Sequence, residues 1–432
     1  MTAVITLSLI TVLATAALAL FEPLLHPKHL SARIYWTAPL AGALILLFAR
    51  LISFPRVLDG LLADSAVNPI KILILFFSMT LMSVFLDEAG FFRYLAGKVL
   101  RRAGSNQKKL FLLLYVSVSV LTVFTSNDIV VLTFTPFICY FAKNARIDPM
   151  PYLIAEFVAA NTWSMALIIG NPTNIYLAAG NGIDFAAYFK VMALPTLLGG
   201  LASLGILWLL FARKLKEPMR GSAEEVHIAD PVTVTLGIAS LGGCIVFLVL
   251  SSYLDFPMWV IAAVGCLFLY ASAIPELLLR HQRLSPVTHS LKRAPFDVIP
   301  FVLSMFVLVM ALSDVGATAL LGDLVLGRGE IFTCGISSFL AANLLNNIPM
   351  SVLYSTVVTA GGTVSIPALY AAVVGSNVGA FFTPMGALAG IMWMTLLKQQ
   401  GVKLSFGRFV LYGAAISIPT LLAALGGLWL IL

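Results

Sequence analysis

Charged residues are scarce in this sequence. Asp, Glu, Lys and Arg together make up 10% of its 432 residues, whereas hydrophobic residues make up 60%. A soluble domain has about 25% charged residues and is about half apolar. The shortage of charge therefore excludes an ordinary soluble protein and predicts an all-α integral membrane protein that crosses the bilayer several times.

Cysteine and histidine are also rare, and they show no clustering. The 4 cysteines lie far apart in apolar segments, without the spacing of a disulfide framework or a zinc site. The 5 histidines fall in predicted loops, which argues against a histidine proton relay within the membrane. HExxH and GxSxG sequences are missing as well. We therefore expect neither an enzyme nor a tightly bound metal or cofactor.

Long apolar runs dominate the sequence, and about 20 residues are enough to cross the hydrocarbon core. Two further runs, 108–142 and 330–362, are interrupted at their middle by polar residues, which predicts re-entrant hairpins. No basic residue precedes the first run, so we expect a retained span and not a signal peptide. The ten predicted spans are 2–21, 35–52, 69–86, 151–180, 190–212, 232–251, 257–280, 297–313, 366–398 and 408–432.

The distribution of Lys and Arg predicts the orientation in the cell (inner or plasma) membrane. If each hairpin returns to the side from which it entered, nearly all basic loops share one side, which the positive-inside rule assigns to the cytoplasm. Both termini are then predicted to lie outside. This placement accounts for the net charge of +7 without a nucleic-acid partner. The basic residues predicted outside are Arg50, Arg56, Lys71, Lys190 and Arg328.

The sequence also repeats itself. Ser78-Met79 and Gly90 in segment 76–90 have the same spacing as Ser304-Met305 and Gly316 in segment 302–316. An interrupted hairpin follows each segment, and a span interrupted by proline follows each hairpin. We therefore predict an inverted repeat of five spans and one hairpin per half, over 1–212 and 232–432, joined by a cytoplasmic linker over 213–231. Inverted repeats with broken helices are typical of secondary transporters, which bind substrate at the repeat interface.

Polar residues at the breaks form the predicted binding site. Such residues are costly at membrane depth and usually line a cavity in which a polar solute binds. We place the coupling ion, H⁺ or Na⁺, at Asp128, although this side chain could instead be a helix cap. Asn161 and Asn377 could line the site or only join helices by hydrogen bonds. The predicted site residues are Ser126, Asn127, Asp128, Asn161, Asn171, Thr173, Asn174, Asn346, Asn347, Ser376, Asn377 and Thr383.

Two dipeptides, Asn171-Pro172 and Thr383-Pro384, predict helix starts inside the membrane, because Asn or Thr caps a helix and Pro suits its first position. Helix N-termini present unpaired N–H groups to an anion or to the oxygens of a polar solute. The alternative is a set of proline kinks packed by neighbouring helices. Glu156 lies early in its span, so we expect it near the membrane surface, where it could merely pair with Lys143 or Arg146 or could belong to the site.

These motifs resemble those of ArsB-type arsenical pump membrane proteins, in the ion transporter superfamily with divalent-anion/sodium symporters and NhaD-type antiporters. The resemblance implies a membrane carrier, a homodimer in some branches and a soluble ATPase partner in ArsB itself. Asn161 and Asn377 stand where the ArsB pattern has Asp. The matching segments are Asn127-Asp128, Thr135-Pro136, Asn171–Asn174, Asn346–Pro349 and 375–393.

Two functions fit these features. One is efflux of arsenite or antimonite, in which Asn and Thr side chains hold the neutral hydroxide. The other is a Na⁺- or H⁺-coupled carrier of a di- or tricarboxylate or of an inorganic anion. Replacement of Asp by Asn at two positions suits an anion, because each change removes a like charge.

Overall fold

A computed structural model describes residues 1–25, 34–63, 68–219, 227–254, 256–327 and 329–432. Regular secondary structure in these ranges is helical throughout. The helices are α1 (Thr2–Leu25), α2 (Thr37–Phe48), α3 (Phe54–Leu62), α4 (Pro69–Glu88), α5 (Phe91–Ala103), α6 (Gln107–Phe124), α7 (Asn127–Ala145), α8 (Met150–Trp163), α9 (Pro172–Leu177), α10 (Phe185–Phe211), α11 (Pro231–Leu254), α12 (Met258–Leu279), α13 (Ser285–Arg293), α14 (Val298–Asp314), α15 (Ala317–Val325), α16 (Glu330–Leu345), α17 (Asn347–Val357), α18 (Ile366–Gly379), α19 (Leu388–Gln399) and α20 (Phe406–Trp429).

Seven stretches of described helix are long and apolar enough to span a membrane. The predicted all-α integral membrane protein is confirmed at this level, while the count of about ten spans stays a prediction. The seven stretches are Pro69–Glu88, Gln107–Phe124, Phe185–Phe211, Pro231–Ser251, Met258–Leu279, Ser285–Asp314 and Phe406–Trp429. Shorter apolar helices are Thr2–Leu18, Thr37–Phe48, Glu330–Leu345 and Ile366–Gly379.

The order of elements is the same in α1–α10 and α11–α20. Each set opens with a helix of 24 residues, has a helix of 9 residues in third place and closes with a helix of at least 24 residues. This agreement of order and length is what a sequence repeat predicts. The inverted orientation of the halves stays a prediction.

Both predicted hairpins contain two helices separated by a short break. The first consists of α6 and α7, which are separated by Thr125 and Ser126 in extended backbone conformation. The second consists of α16 and α17, which are separated by Asn346 at φ 75° and ψ 153°. A side chain at positive φ is strained, so the reversal at Asn346 depends on contacts that fix it. Whether the hairpins are re-entrant stays a prediction.

The two interrupted spans unwind over longer segments than the sequence predicts. In the first, α8 ends at Trp163 and α9 begins at Pro172, capped by Asn171, whose Oδ1 accepts a hydrogen bond of 3.1 Å from the Thr173 amide. At Thr383-Pro384 the predicted cap is present, since Thr383 Oγ1 accepts a hydrogen bond of 3.2 Å from the Met385 amide, but it caps a single 3₁₀ turn over Pro384–Gly386, and α19 begins only at Leu388. Ala387, in extended conformation (φ −150°, ψ 154°), separates the turn from the helix.

Of the predicted linker 213–231, residues 220–226 lie outside the described residues. Arg328, which is predicted to lie outside the cell, is also not among the described residues. Its first residues pack onto the helices. Leu215 is buried. The Gln107 side chain donates a hydrogen bond of 2.8 Å to the Glu217 carbonyl.

The central helices α4 and α14 pack mainly against elements of the opposite half. Helix α4 lies against α11, α12 and α13, and α14 lies against α1 and α2. Ion pairs hold the C-terminal ends of α4 and α14 to the opposite half. Arg56 of α3 contacts Asp314 at 3.1 Å, while Arg293 of α13 contacts Asp87 at 2.7 Å and Glu88 at 2.5 Å. The nine-residue helix of each half thus holds the central helix of the other half.

We expect Arg293→Ala to lower the free energy of unfolding by about 1–3 kcal/mol, because it removes the guanidinium group that pairs with two carboxylates. Asp87 and Glu88 are only 9% and 18% exposed. The matched change Arg56→Ala should cost less than about 1 kcal/mol, since an exposed pair is screened by water. Thermal unfolding of both purified variants in one detergent tests this ranking, and equal effects would contradict it.

Candidate functional site

An amide cluster joins the break between α8 and α9 to helix α18 of the second half. At its centre, Asn377 Oδ1 accepts hydrogen bonds from Ser164 Oγ at 2.8 Å and from Asn171 Nδ2 at 3.0 Å. Asn377 Nδ2 donates to Asn174 Oδ1 at 2.7 Å and to the Val373 carbonyl at 2.9 Å. All four hydrogen-bonding positions of this buried amide are therefore used.

The same cluster satisfies the backbone of the unwound segment. Asn174 Nδ2 donates to the carbonyls of Ser164 and Leu167 at 2.8 and 3.0 Å. Carbonyls at a helix end have no helical partner, and in the absence of water another group must satisfy them. The amide side chains in the predicted Asn171–Asn174 motif thus make the break possible at membrane depth.

Asn161 extends the cluster to the first hairpin. Its Oδ1 accepts a hydrogen bond of 3.0 Å from Asn127 Nδ2, and its Nδ2 donates to the Phe157 carbonyl at 2.8 Å. Asn161 and Asn377 therefore both make hydrogen bonds that join helices, which is one of the two roles that the sequence suggests for them. Asn127 Oδ1 is buried without a hydrogen-bond partner.

A second group of polar contacts surrounds the other hairpin, and its centre, Asn343, was missed by the sequence analysis. Asn343 Oδ1 accepts from Thr383 Oγ1 at 2.7 Å, and its Nδ2 donates to the Gly379 carbonyl at 3.1 Å. Asn346 Nδ2 donates to the Met385 carbonyl at 3.2 Å. The signal was available, since Asn343 lies about one helical turn before Asn346 in the same apolar run.

A cavity lies between α4 and the two breaks of the first half. Its volume open to a water-sized sphere is about 10 Å³, roughly the room of one water molecule. Its wall contains four hydroxyl side chains and no charged side chain. Thr80 Oγ1 is buried without a hydrogen-bond partner. The cavity is lined by Phe76, Met79, Thr80, Ser83, Thr125, Ser126, Ile169, Pro172 and Ile175.

Thr80 and Ser83 did not appear among the predicted site residues. Both lie in α4, in the repeated segment 76–90, and they are three residues apart on one helix face. Polar residues at helical spacing inside an apolar run were the signal that could have identified them.

A second cavity occupies the matching place beside the other hairpin. Its volume open to a water-sized sphere is also about 10 Å³. It is bounded by the Asn346 break and by residues on either side of the start of α19. Tyr35 contributes a ring to its wall and donates its hydroxyl to Asp297 Oδ2 at 2.5 Å. Its lining residues are Thr15, Ala16, Tyr35, Phe301, Leu345, Asn346, Met385, Leu388 and Ile391.

The predicted site residues are thus divided among several places. Ser126 lines the first cavity and Asn346 lines the second. Thr383 contacts Asn343. Asp128 is half-buried in the first turn of α7. The members of the amide cluster are Asn127, Asn161, Asn171, Asn174 and Asn377. The side chains of the remaining predicted site residues are buried outside the hydrogen bonds of this cluster: Thr173, Asn347 and Ser376.

The expected position of Glu156 is wrong. Its side chain is fully buried, and none of the ion pairs among the described residues joins it to Lys143 or Arg146. It instead accepts from Thr135 Oγ1, which lies 3.1 and 3.0 Å from its two oxygens. The carboxyl points from α8 toward the middle of α7 and not toward the loop between them, because it lies on the buried face of α8.

We expect Asn377→Asp to lower the free energy of unfolding by about 2–5 kcal/mol. A carboxyl group offers at most one donor, whereas the amide supplies two, so Asn174 Oδ1 or the Val373 carbonyl loses its partner. The neighbouring change Ser376→Ala is the control. Ser376 Oγ is buried without a partner, so its removal should cost less than about 1 kcal/mol. Thermal unfolding in detergent compares them, and a neutral Asn377→Asp would contradict the assignment.

Comparison with known proteins is consistent with this architecture. Residues 5–362 match the family model described as citrate transporter, CitMHS. An arsenical pump membrane protein of Yersinia enterocolitica is 27% identical over 371 residues, which are 82% of this chain and 84% of that protein. The arsenical pump membrane protein of Escherichia coli K12 is 27% identical over 374 residues, with the same coverage.

Another relative and a solved structure extend the comparison. A putative arsenical pump membrane protein of Bacillus subtilis is 24% identical over 371 residues, covering 76% of this chain and 80% of that protein. The crystal structure of the YdaH transporter of Alcanivorax borkumensis covers 98% of both chains with a TM-score of 0.55 and 12% identity, which shows a shared fold. The resemblance inferred from the motifs is confirmed. Since the family model spans most of the sequence, the chain belongs to the citrate transporter family, CitMHS, whose members are membrane transporters and not enzymes.

Proposed function

We propose that this transporter exports a small metalloid hydroxide, arsenite or antimonite, by an ion-coupled alternating-access mechanism. The first cavity is the observation that carries this proposal. Hydroxyl groups of Thr80, Ser83, Thr125 and Ser126 line it, and none of its lining residues is charged.

The chemistry of the cavity suits a small neutral solute. Its volume open to a water-sized sphere is about 10 Å³, roughly the room of one water molecule, so a bound solute requires the cavity wall to move outward. Arsenous acid carries three hydroxyl groups, each of which can donate and accept a hydrogen bond. The unpartnered Thr80 Oγ1 can make such a contact without first giving up another one.

Alternating access follows from the proposed inverted repeat. The repeated order of helices, the packing of α4 and α14 on opposite halves and the cavity at each hairpin break all support it. In this arrangement each half contributes five spans and one re-entrant hairpin. The protein lies in the cell (inner or plasma) membrane, with both termini on its outer side. The substrate site would then be open to each side of the bilayer in turn.

The second candidate is a Na⁺- or H⁺-coupled carrier of a carboxylate or of an inorganic anion. The citrate transporter description of the matching family favours it. So does the presence of two helix N-termini at the breaks, those of α7 and α17, because unpaired N–H groups there attract negative charge. Asp128, in the first turn of α7, is the proposed position for H⁺ or Na⁺. A homodimer and a soluble ATPase partner remain expectations from the ArsB resemblance.

Transport by purified protein in proteoliposomes distinguishes the two candidates. We expect concentrative movement of arsenite and antimonite under a proton or sodium gradient, and no movement of citrate, succinate, phosphate or sulfate. Empty liposomes and an ionophore that collapses the gradient are the controls. Movement of citrate or another anion without arsenite would replace the first proposal with the second.

Removal of one cavity hydroxyl should weaken transport without affecting the fold. We expect Thr80→Val to lower the transport rate at low substrate about tenfold, which corresponds to the loss of one hydrogen bond of about 1.4 kcal/mol. Thr235→Val is the matched control, because the Thr235 hydroxyl bonds only to the Pro231 carbonyl of its own helix at 2.7 Å. Equal rates for the two variants would remove Thr80 from the site.

A further inference from the structure

Glu156 is a buried acid that the substrate cavity does not use. Its side chain is 0% exposed, and its carboxyl accepts a hydrogen bond from the Thr135 hydroxyl. No ion pair in the described ranges includes it. An ionised carboxylate without a cationic partner is strongly disfavoured in such surroundings. The conformation described here therefore suits the protonated acid.

The elements packed around Glu156 supply almost no charge. Helix α7 places Thr135 and the Cys139 thiol beside it, and α19 places the Trp393 indole beside it. Helices α6, α10 and α18 also pack on α8, but no Lys, Arg, His or other carboxylate among the described residues acts on the Glu156 carboxyl. The Trp393 ring stacks on Phe157 at 4.6 Å, which fixes its position.

Two groups next to Glu156 are ready to respond when it loses a proton. The buried Trp393 Nε1 lies next to the carboxyl, so after a small movement an ionised carboxylate could accept a well-aligned hydrogen bond from it. Thr135 precedes Pro136, which has no N–H and therefore interrupts the hydrogen bonding of α7. Loss of the proton would thus draw α19 of the second half toward α8 and α7 of the first half.

We propose that Glu156 is the proton-carrying group of transport. It holds a proton in the conformation described here. It releases that proton when the opposite conformation admits water, and Thr135 and Trp393 then stabilise the anion. The inference rests on the proposed ion-coupled function and identifies the ion as H⁺. Asp128, which is half-buried at the start of the same hairpin arm, keeps the role of a cation site or a helix cap.

Proteoliposomes containing Glu156→Gln test the proposal. A gradient of about one pH unit can support about tenfold accumulation per coupled proton. We expect the variant to lose this accumulation while it still exchanges labelled arsenite for unlabelled arsenite at equal pH on both sides. Glu217→Gln is the matched carboxyl-to-amide change, because the Glu217 side chain is exposed in the linker, and it should keep the pH-driven accumulation. Full pH-driven accumulation by Glu156→Gln would overturn the proposal.

Infrared difference spectra between acidic and alkaline pH give a readout that needs no substrate. We expect the wild type to show the C=O stretch of a buried protonated carboxyl, and we expect this band to vanish in Glu156→Gln. Persistence of the band in the variant would refute the assignment. If the wild type moves no arsenite but the band vanishes as expected, the substrate proposal fails and Glu156 remains the protonation site.

Thr135→Val keeps the glutamate and so remains informative if Glu156→Gln fails to fold. It removes the hydroxyl that favours the ionised carboxylate, and the midpoint of the pH profile of transport should rise by about one pH unit. Thr133→Val on the same helix is the control, because Thr133 Oγ1 is buried without a partner. Superimposable pH profiles for these two variants would contradict the proposal.

Discussion

Every feature of the site depends on one constraint, which is that backbone groups at a helix break must find hydrogen-bond partners where water is scarce. In the first half, the Asn174 side chain supplies two donors to the unwound segment after α8. In the second half, the Asn343 side chain donates to the Gly379 carbonyl at the end of α18 and accepts from the Thr383 amide in the segment after it. Most of the asparagines at the breaks therefore hold the backbone open, and the cavity forms beside the breaks.

The same constraint connects the halves of the protein. Because Asn377 bonds to Ser164, Asn171 and Asn174, the first break cannot move without changing the contacts of α18. Helix α9 of the first half lies against α17 in the hairpin of the second half, and α19 of the second half lies against α7 in the hairpin of the first half. A transporter needs two discrete arrangements of a packed structure. Hydrogen bonds across the repeat interface suit such a two-state change, because each donor is bonded either to one acceptor or to another.

Much of the fold could be predicted from the sequence, because hydropathy and helix breakers act locally. The described helices follow the apolar runs and repeat the predicted order of elements. They are interrupted at the predicted breaks, at Ser126, Asn171 and Asn346. The site was only partly predictable. Thr80 and Glu156 lie in segments that read as ordinary spans, and their roles depend on which helix faces them. Thr383-Pro384 does start a helical turn, but the extended Ala387 after it separates this turn from α19, and the sequence did not predict that separation.

The sequence by itself determined that the chain is a helical membrane protein, where its helices break and which transporter family it resembles, since each of these depends on residue type and spacing. Only the tertiary structure decided that Asn161 and Asn377 join helices and that Thr80 and Ser83 line the cavity. It also decided that Glu156 is buried without a cation. The physical reason is that a polar side chain in a membrane acquires its role from the partner that satisfies it, and that partner comes from elsewhere in the chain.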